Sequence, residues 1–230
     1  MLLSASDHER VRAAVDKAEG RTSAEIVCVL ARQSGDYWET PLAWAGLAAL
    51  IVPAAALLLG LRPELVTRLL GGWIAAEAAS VETAIEEALI AYMVLQAALF
   101  ALVALLVSWR PLRIAMTPGP LKREHAHRKA AEQFAAQAYH LTSERTGVLI
   151  FASLAEHQAV VLADQTVAAK LGPQAWNDVV AELIAGMKAS DPGAGFAAAV
   201  DKAAAHLEAP FPRRPDDRNE LPDTVIELDH

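Results

Sequence analysis

The sequence predicts an α/β fold: a sandwich of three or four strands and covering helices, interrupted by a membrane-crossing helical hairpin. Three observations predict it. Short β-rich apolar runs occur at residues 23–31 ("SAEIVCVLA"), 147–154 ("GVLIFASL") and 159–164 ("AVVLAD"). Helical stripes of apolar residues flank them. Two uncharged apolar stretches, 41–61 and 88–109, separate the first strand from the others.

The opening residues read as a helix. Ser6 and Glu9 fit the S-x-x-E capping pattern, Val11, Ala14, Val15 and Ala18 form one apolar stripe, and Gly20 supplies a stop. Charge throughout this segment sets it apart from a secretory leader. The run 23–31 follows. One strand alone leaves its backbone donors and acceptors unpaired, so its partners must be the two later runs.

Residues 41–61 and 88–109 would each reach about 30 Å as a helix, the thickness of a bilayer's hydrocarbon core. Pro53 lies inside the first, which membrane helices tolerate. A pair of buried core helices is the alternative, but two uncharged runs of this length exceed what so small a core needs. Trp38, Trp44 and Trp109 stand near the ends, where aromatic rings sit at membrane interfaces. The connector 62–87 holds Arg62 and Arg68 against Glu64, Glu77, Glu82, Glu86 and Glu87. The flanks hold Arg10, Arg12, Lys17 and Arg21 on one side and Arg110, Arg113, Lys122, Arg123, Arg128 and Lys129 on the other. Positive-inside bias puts both termini in the cytoplasm and the acidic connector outside. Within that connector, Leu65, Val66, Leu69, Leu70 and Trp73 suit a short helix on the outer surface.

An even number of crossings returns the chain to its starting side. Residues 1–40 and 110–209 are therefore expected to form one discontinuous domain, with 41–109 as an inserted hairpin and 210–230 as an extended, Pro-rich tail. The later strands are apolar on both faces, so helices cover both sides of the sheet. Those helices are read at 120–141 (Ala131, Phe134, Ala135, Ala138, Leu141), either side of Gly172-Pro173 (Trp176, Val179, Val180, Leu183, Ile184, Met187) and after "SDPGAG" (Phe196, Val200, Leu207).

Among 230 residues of net charge −8 no basic footprint suggests nucleic acid. The lone Cys28 excludes an intrachain disulfide and reads as a small buried hydrophobe. No G-x-S-x-G, P-loop, H-E-x-x-H or dinucleotide fingerprint occurs. Neither span carries a charge to line a transport pathway.

The pieces "TSAEIVCVLA", "RTGVLIFASLAEHQAVVLAD" and "NELPD" together resemble the TPM domain, named for founding proteins of the thylakoid lumen, photosystem II assembly and acetylcholine-receptor modulation. The resemblance covers residues 8–31 and 120–226 and is closest to a bacterial membrane-bound branch with two spans inserted after the first strand. It implies a Rossmann-like α/β/α sandwich in the bacterial inner membrane. Some members of the family are acid phosphatases or calcium binders, and others assist the assembly and repair of membrane complexes. In the metal-binding branches an acid precedes the Gly of the second strand. Here Thr146 precedes Gly147, and after the first strand only Asp36 is offered.

Candidate site residues each carry two readings. Glu156 and His157, in the turn between the second and third strands, suit either an acid/base pair or phosphate contact, or a solvated turn. Glu25 opens the first strand, and Glu144 and Arg145 open the second; parallel pairing would gather them at one sheet edge, as an ion pair fixing register or as a binding cluster. Asp164 reads as a helix N-cap or, with Asp36, as a metal ligand. His125 and His127 are two apart, which does not suit a helical metal pair; their basic neighbours suit anionic lipid headgroups. His140 and His206 have no evident partner. The tail acids Asp216, Asp217, Glu220 and Asp223 match no EF-hand spacing, and Asn219 to Asp223 are expected to dock through Leu221.

The expectation is an integral membrane protein whose cytosolic domain binds a partner protein or ligand near the bilayer, in assembly or maintenance of a membrane complex. No cofactor is required for that role. The alternative is a calcium-dependent, acid-phosphatase-like hydrolase needing Asp164, Asp36 and Glu156 in one pocket. The partners implied are the lipid bilayer and a protein, not nucleic acid; a homo-oligomer stays open.

Overall fold

A computed structural model describes residues 2–60, 81–138, 146–214 and 224–229. The chain divides into two compact units, Met1–Asp36 with Pro118–His230, and Tyr37–Thr117.

In the first unit, helix α1 (Ala5–Glu19) starts two residues earlier than expected. Ser4, not Ser6, is the N-cap: its hydroxyl accepts the Asp7 N–H at 3.2 Å, and the Asp7 carboxylate accepts the Ser4 N–H at 3.2 Å. Ser4-x-x-Asp7 fits the same pattern as Ser6-x-x-Glu9, and the earlier start follows a buried Leu3. The Ser4 hydroxyl, ahead of nearby cations, holds the Asp7 carboxyl below the usual range. The stripe Val11, Ala14, Val15 and Ala18 is buried.

Strands β1 (Ile26–Ala31), β2 (Val148–Ser153), β3 (Gln158–Ala163) and β4 (Ile226–Leu228) form one open sheet in the order β3-β2-β1-β4. β1 pairs parallel with β2, Ile26 opposite Val148 through Ala31 opposite Ser153. β2 pairs antiparallel with β3, and β1 parallel with β4. β1 and β2 are buried at every position. Alternation explains why neither shows a polar face. Ile26, Cys28, Leu30, Val148, Ile150 and Ala152 join one core with Val11 and Val15 of α1, Val179 and Leu183 of α7 (Asn177–Lys188), and Phe196 and Val200 of α8 (Pro192–Leu207). Val27, Val29, Leu149 and Phe151 join a second core with Ala126 and Ala130 of α5 (Gly119–Ala138). Helices thus cover both faces, giving three α/β/α layers. Burial pushes the Cys28 thiol up to about 12. Between β3 and α7 lie the short α6 (Gln165–Lys170) and a 3₁₀ turn at Pro173–Trp176.

The fourth strand comes from the far end of the chain. Residues 219–223 lie outside the described residues, as do their acids and Leu221. The return is made just beyond them: Val225 is buried, and β4 lies along β1. Arg32 extends the ladder by donating its N–H to Leu228 at 2.9 Å.

The second unit holds α2 (Glu39–Leu58), α3 (Val81–Ser108) and α4 (Arg110–Met116). The outer-surface helix expected near 65–73 lies outside the described residues. Two stretches, Glu39–Ala56 and Leu89–Ser108, are long and apolar enough to cross a membrane. Only 6 % of the second is buried within the structure, unlike the core helix of a water-soluble protein. Small side chains let α2 and α3 approach, with Ala45 and Ala49 buried.

One polar contact between these helices has a specific cause. Pro53 has no N–H, so the carbonyl four residues earlier, Ala49, loses its helical donor. Gln96 of α3 replaces it, donating Nε2–H to the Ala49 carbonyl at 3.2 Å. A donor from a neighbouring helix is one way an apolar helix accommodates an internal proline.

Candidate functional site

β1 is the strand at which the connections part. The path into β2 runs over one face through α5, and the path from β3 to β4 runs over the other through α7 and α8. Crevices in open α/β sheets form at the carboxyl end of such a strand. Here that end carries residues 32–36 and, beside it, the β2–β3 turn at 154–157.

Glu156 joins the two. It is buried; Oε1 accepts the Ser34 N–H at 3.0 Å and Oε2 accepts the Ser153 hydroxyl. The sheet ladder continues underneath, Leu154 donating to Ala31 and Ala155 to Arg32, both at 3.0 Å. A solvated Glu156 was one expectation, and burial overturns it: the turn folds its carboxylate inward to receive donors that the loop and β2 present. His157 goes the other way. It is exposed, with a left-handed φ of 50° that reverses the chain. The two side chains therefore do not form a pair.

The loop is close-packed. The Gln33 amide donates to the Gly35 carbonyl. A Cβ on Gly35 would collide with His125 Nδ1 on α5, so this position takes only glycine while the ring stays in place. His125 Nδ1 also lies 3.0 Å from the Arg128 guanidinium.

The opposite edge gathers a different set. Glu25 is buried there, its carbonyl accepting the Val148 N–H at 2.8 Å. Buried Thr22 donates its hydroxyl to the Phe211 carbonyl at 2.7 Å, and Thr146 donates to Ser23 at 3.4 Å. Asp164 donates its N–H to Gly147 at 2.9 Å and caps α6, its carboxylate accepting the Gln165 N–H at 2.6 Å. Glu144, Arg145 and His140 lie outside the described residues.

This arrangement corrects one expectation. Asp36 follows the carboxyl end of β1, whereas antiparallel β3 carries Asp164 back to the amino end of β2. Six residues of strand separate the two edges, about 20 Å at 3.3 Å per residue. Asp164 and Asp36 therefore do not share a metal site, and Glu156 lies near neither Glu25 nor Asp164. Among the described residues, no group of three or more His, Cys, Asp or Glu is placed to hold a metal ion.

Two polar clusters were not legible in the sequence. Glu227 of β4 accepts the N–H groups of Leu2 at 2.8 Å and Leu3 at 2.9 Å, and His8 Nε2 lies 2.9 Å from its Oε1. Burial raises the Glu227 carboxyl, but those donors outweigh it and hold it below the ordinary range. His206 of α8 sits 2.9 Å from the Asp178 carboxylate of α7. Burial opposes ionisation of Asp178 too, and contact with His206 together with backbone N–H donors outweighs it and holds the carboxyl below the ordinary range.

The unit is thus a three-layer α/β protein whose sheet is completed by strands from both sides of a membrane-length helical insertion. The NMR structure of the BA42 protein from the psychrophilic bacterium Bizionia argentinensis is similar in fold, with a TM-score of 0.54 over 98 % of this chain and 94 % of that one, at 15 % identity. No protein-family model matches the chain, and no curated protein matches it.

Proposed function

We propose that this is an integral membrane protein of the TPM type, whose α/β unit binds a partner protein or ligand beside the bilayer in the assembly or upkeep of a membrane complex. One observation carries the reading. β1 and β2 are parallel neighbours in register, yet the chain between them holds two apolar helices whose side chains face outward. A polypeptide that leaves a sheet, crosses a bilayer twice and returns has this pattern, and it puts both chain ends on one side. Positive-inside bias makes that side the cytoplasm. The binding surface is the carboxyl end of β1, where Glu156 holds the 32–36 loop to the β2–β3 turn.

The calcium-dependent phosphatase reading has no observation in its favour, because Asp36 and Asp164 stand at opposite sheet edges. Two experiments test the proposal. The full chain should stay in the membrane pellet through alkaline carbonate, and replacing Tyr37–Thr117 by a short Gly/Ser linker should release a folded, soluble α/β unit. Recovery of the full chain in the soluble fraction would refute the membrane reading. Calcium-stimulated phosphoester hydrolysis lost in Asp164→Ala would restore the enzyme.

A further inference from the structure

The interfacial end of the helical unit presents an arrangement that calls for an anion. Trp109, between α3 and α4, is 71 % exposed; Trp38, preceding α2, is 63 % exposed. The start of α2 is tied to α4 at this end: Trp44 Nε1–H donates to the Met116 carbonyl at 3.1 Å, and the hydroxyls of Thr40 and Thr117 are 3.0 Å apart. α4 therefore holds a fixed position against α2, and it carries Arg110 and Arg113. Spaced i, i+3, these share a face of the helix.

Neither arginine has an ion-pair partner among the described residues, and the Arg113 Nε is buried with no hydrogen-bond acceptor. Elsewhere in the chain, Arg10, Lys17, Arg21 and Arg32 each meet a carboxylate within 3.3 Å. Glu39 is the one described carboxylate at this end of the unit, and it sits at the α2 N-terminus, where the helix dipole favours it. A planar guanidinium fork left without a carboxylate, one turn from an exposed tryptophan and an apolar span, matches a phosphodiester at headgroup depth.

We propose that Arg110 and Arg113, flanked by Trp38 and Trp109, bind the phosphate of an anionic phospholipid headgroup. The proposal rests on the membrane reading above and adds the lipid class that the hairpin selects. It is tested on the full chain in nanodiscs of mixed phosphatidylcholine and phosphatidylglycerol, counting each lipid retained by native mass spectrometry. Wild type should retain phosphatidylglycerol preferentially. Arg110→Gln/Arg113→Gln should lower that selectivity about 30-fold, two basic contacts' worth. Arg110→Lys/Arg113→Lys keeps the charge and should lose a smaller part of it, and it serves as the test should the Gln pair not fold. Equal retention of both lipids by wild type, or undiminished selectivity in the Gln pair, would overturn the proposal. So would displacement of the lipid by inorganic phosphate, which would mark a free-anion site. Failure to enter nanodiscs at all would instead overturn the membrane reading, and this proposal with it.

Discussion

In the α/β unit, Val29, Leu30, Ile150 and Phe151 are fully buried under helices of the same chain, whereas in the helical unit Leu50 and Leu105, equally apolar, are 66 % and 73 % exposed. The first set is removed from water by the fold itself. The second is left for a surrounding that this chain does not supply. Since apolar burial is the main favourable term in folding, the same residue types stabilise one unit through packing and, in the other, form exposed helices long and apolar enough to cross a membrane.

Substitutions sharpen this contrast. Phe151→Ala opens a cavity between β2 and α5 and should cost about 3–5 kcal/mol in thermal or denaturant unfolding. Leu105→Ala, in the same detergent, should stay within about 0.5 kcal/mol. Equal losses would mean that Leu105 is covered by protein, and the comparison would break.

Polar groups show the contrast again, on a smaller scale. Glu156→Ala leaves the Ser34 N–H without its acceptor, and should cost about 1–3 kcal/mol while loosening residues 32–36 to proteolysis. A neutral outcome would show that the loop is not held by this carboxylate. Glu227 offers a pH test. Its folded carboxyl titrates below the ordinary value, so its contribution is complete above the unfolded value and is lost as pH falls through the folded one. Glu227→Gln should therefore be less stable than wild type at neutral pH, by about 1.5–3 kcal/mol, and the gap should close under acid. A constant gap across that window would remove the charge from the explanation.

In the helical unit one hydrogen bond between helices, from Gln96 to the Ala49 carbonyl, answers the proline. Gln96→Leu should cost about 0.6–1.7 kcal/mol by stranding the Ala49 carbonyl. In a Pro53→Ala background the restored N–H should erase most of that cost. Additivity of the two substitutions would show that Gln96 does not answer the proline.

Local pattern carried the reading of α1, β1 to β3 and the two apolar helices, because periodicity and uninterrupted apolar length act over ten to twenty residues. It missed β4, a strand of three residues that pairs with β1 across nearly the whole chain. The Glu227 cluster was hidden for the same reason: its donors, Leu2, Leu3 and His8, stand at the opposite end of the sequence. Of the two readings of Glu156 only the solvated one fails, because parallel β1–β2 pairing brings the Ser34 N–H to its carboxylate, a long-range contact that no local pattern shows. The tight turn at 154–157 already makes β3 antiparallel to β2, since a parallel return needs a dozen residues or more, so the separation of Asp164 from Asp36 follows once the three strands are paired.

Sidedness of labelling tests the central claim most directly, because buried Cys28, its thiol raised to about 12, should stay silent and leave introduced cysteines as the only signal. Arg12→Cys on α1 and Lys202→Cys on α8 are both exposed positions. With a membrane-impermeant thiol reagent, both should react in inside-out membrane vesicles and neither in right-side-out ones. Reaction of the two from opposite sides, or equal reaction in both preparations, would contradict a sheet assembled on one face of a bilayer from either side of a membrane hairpin.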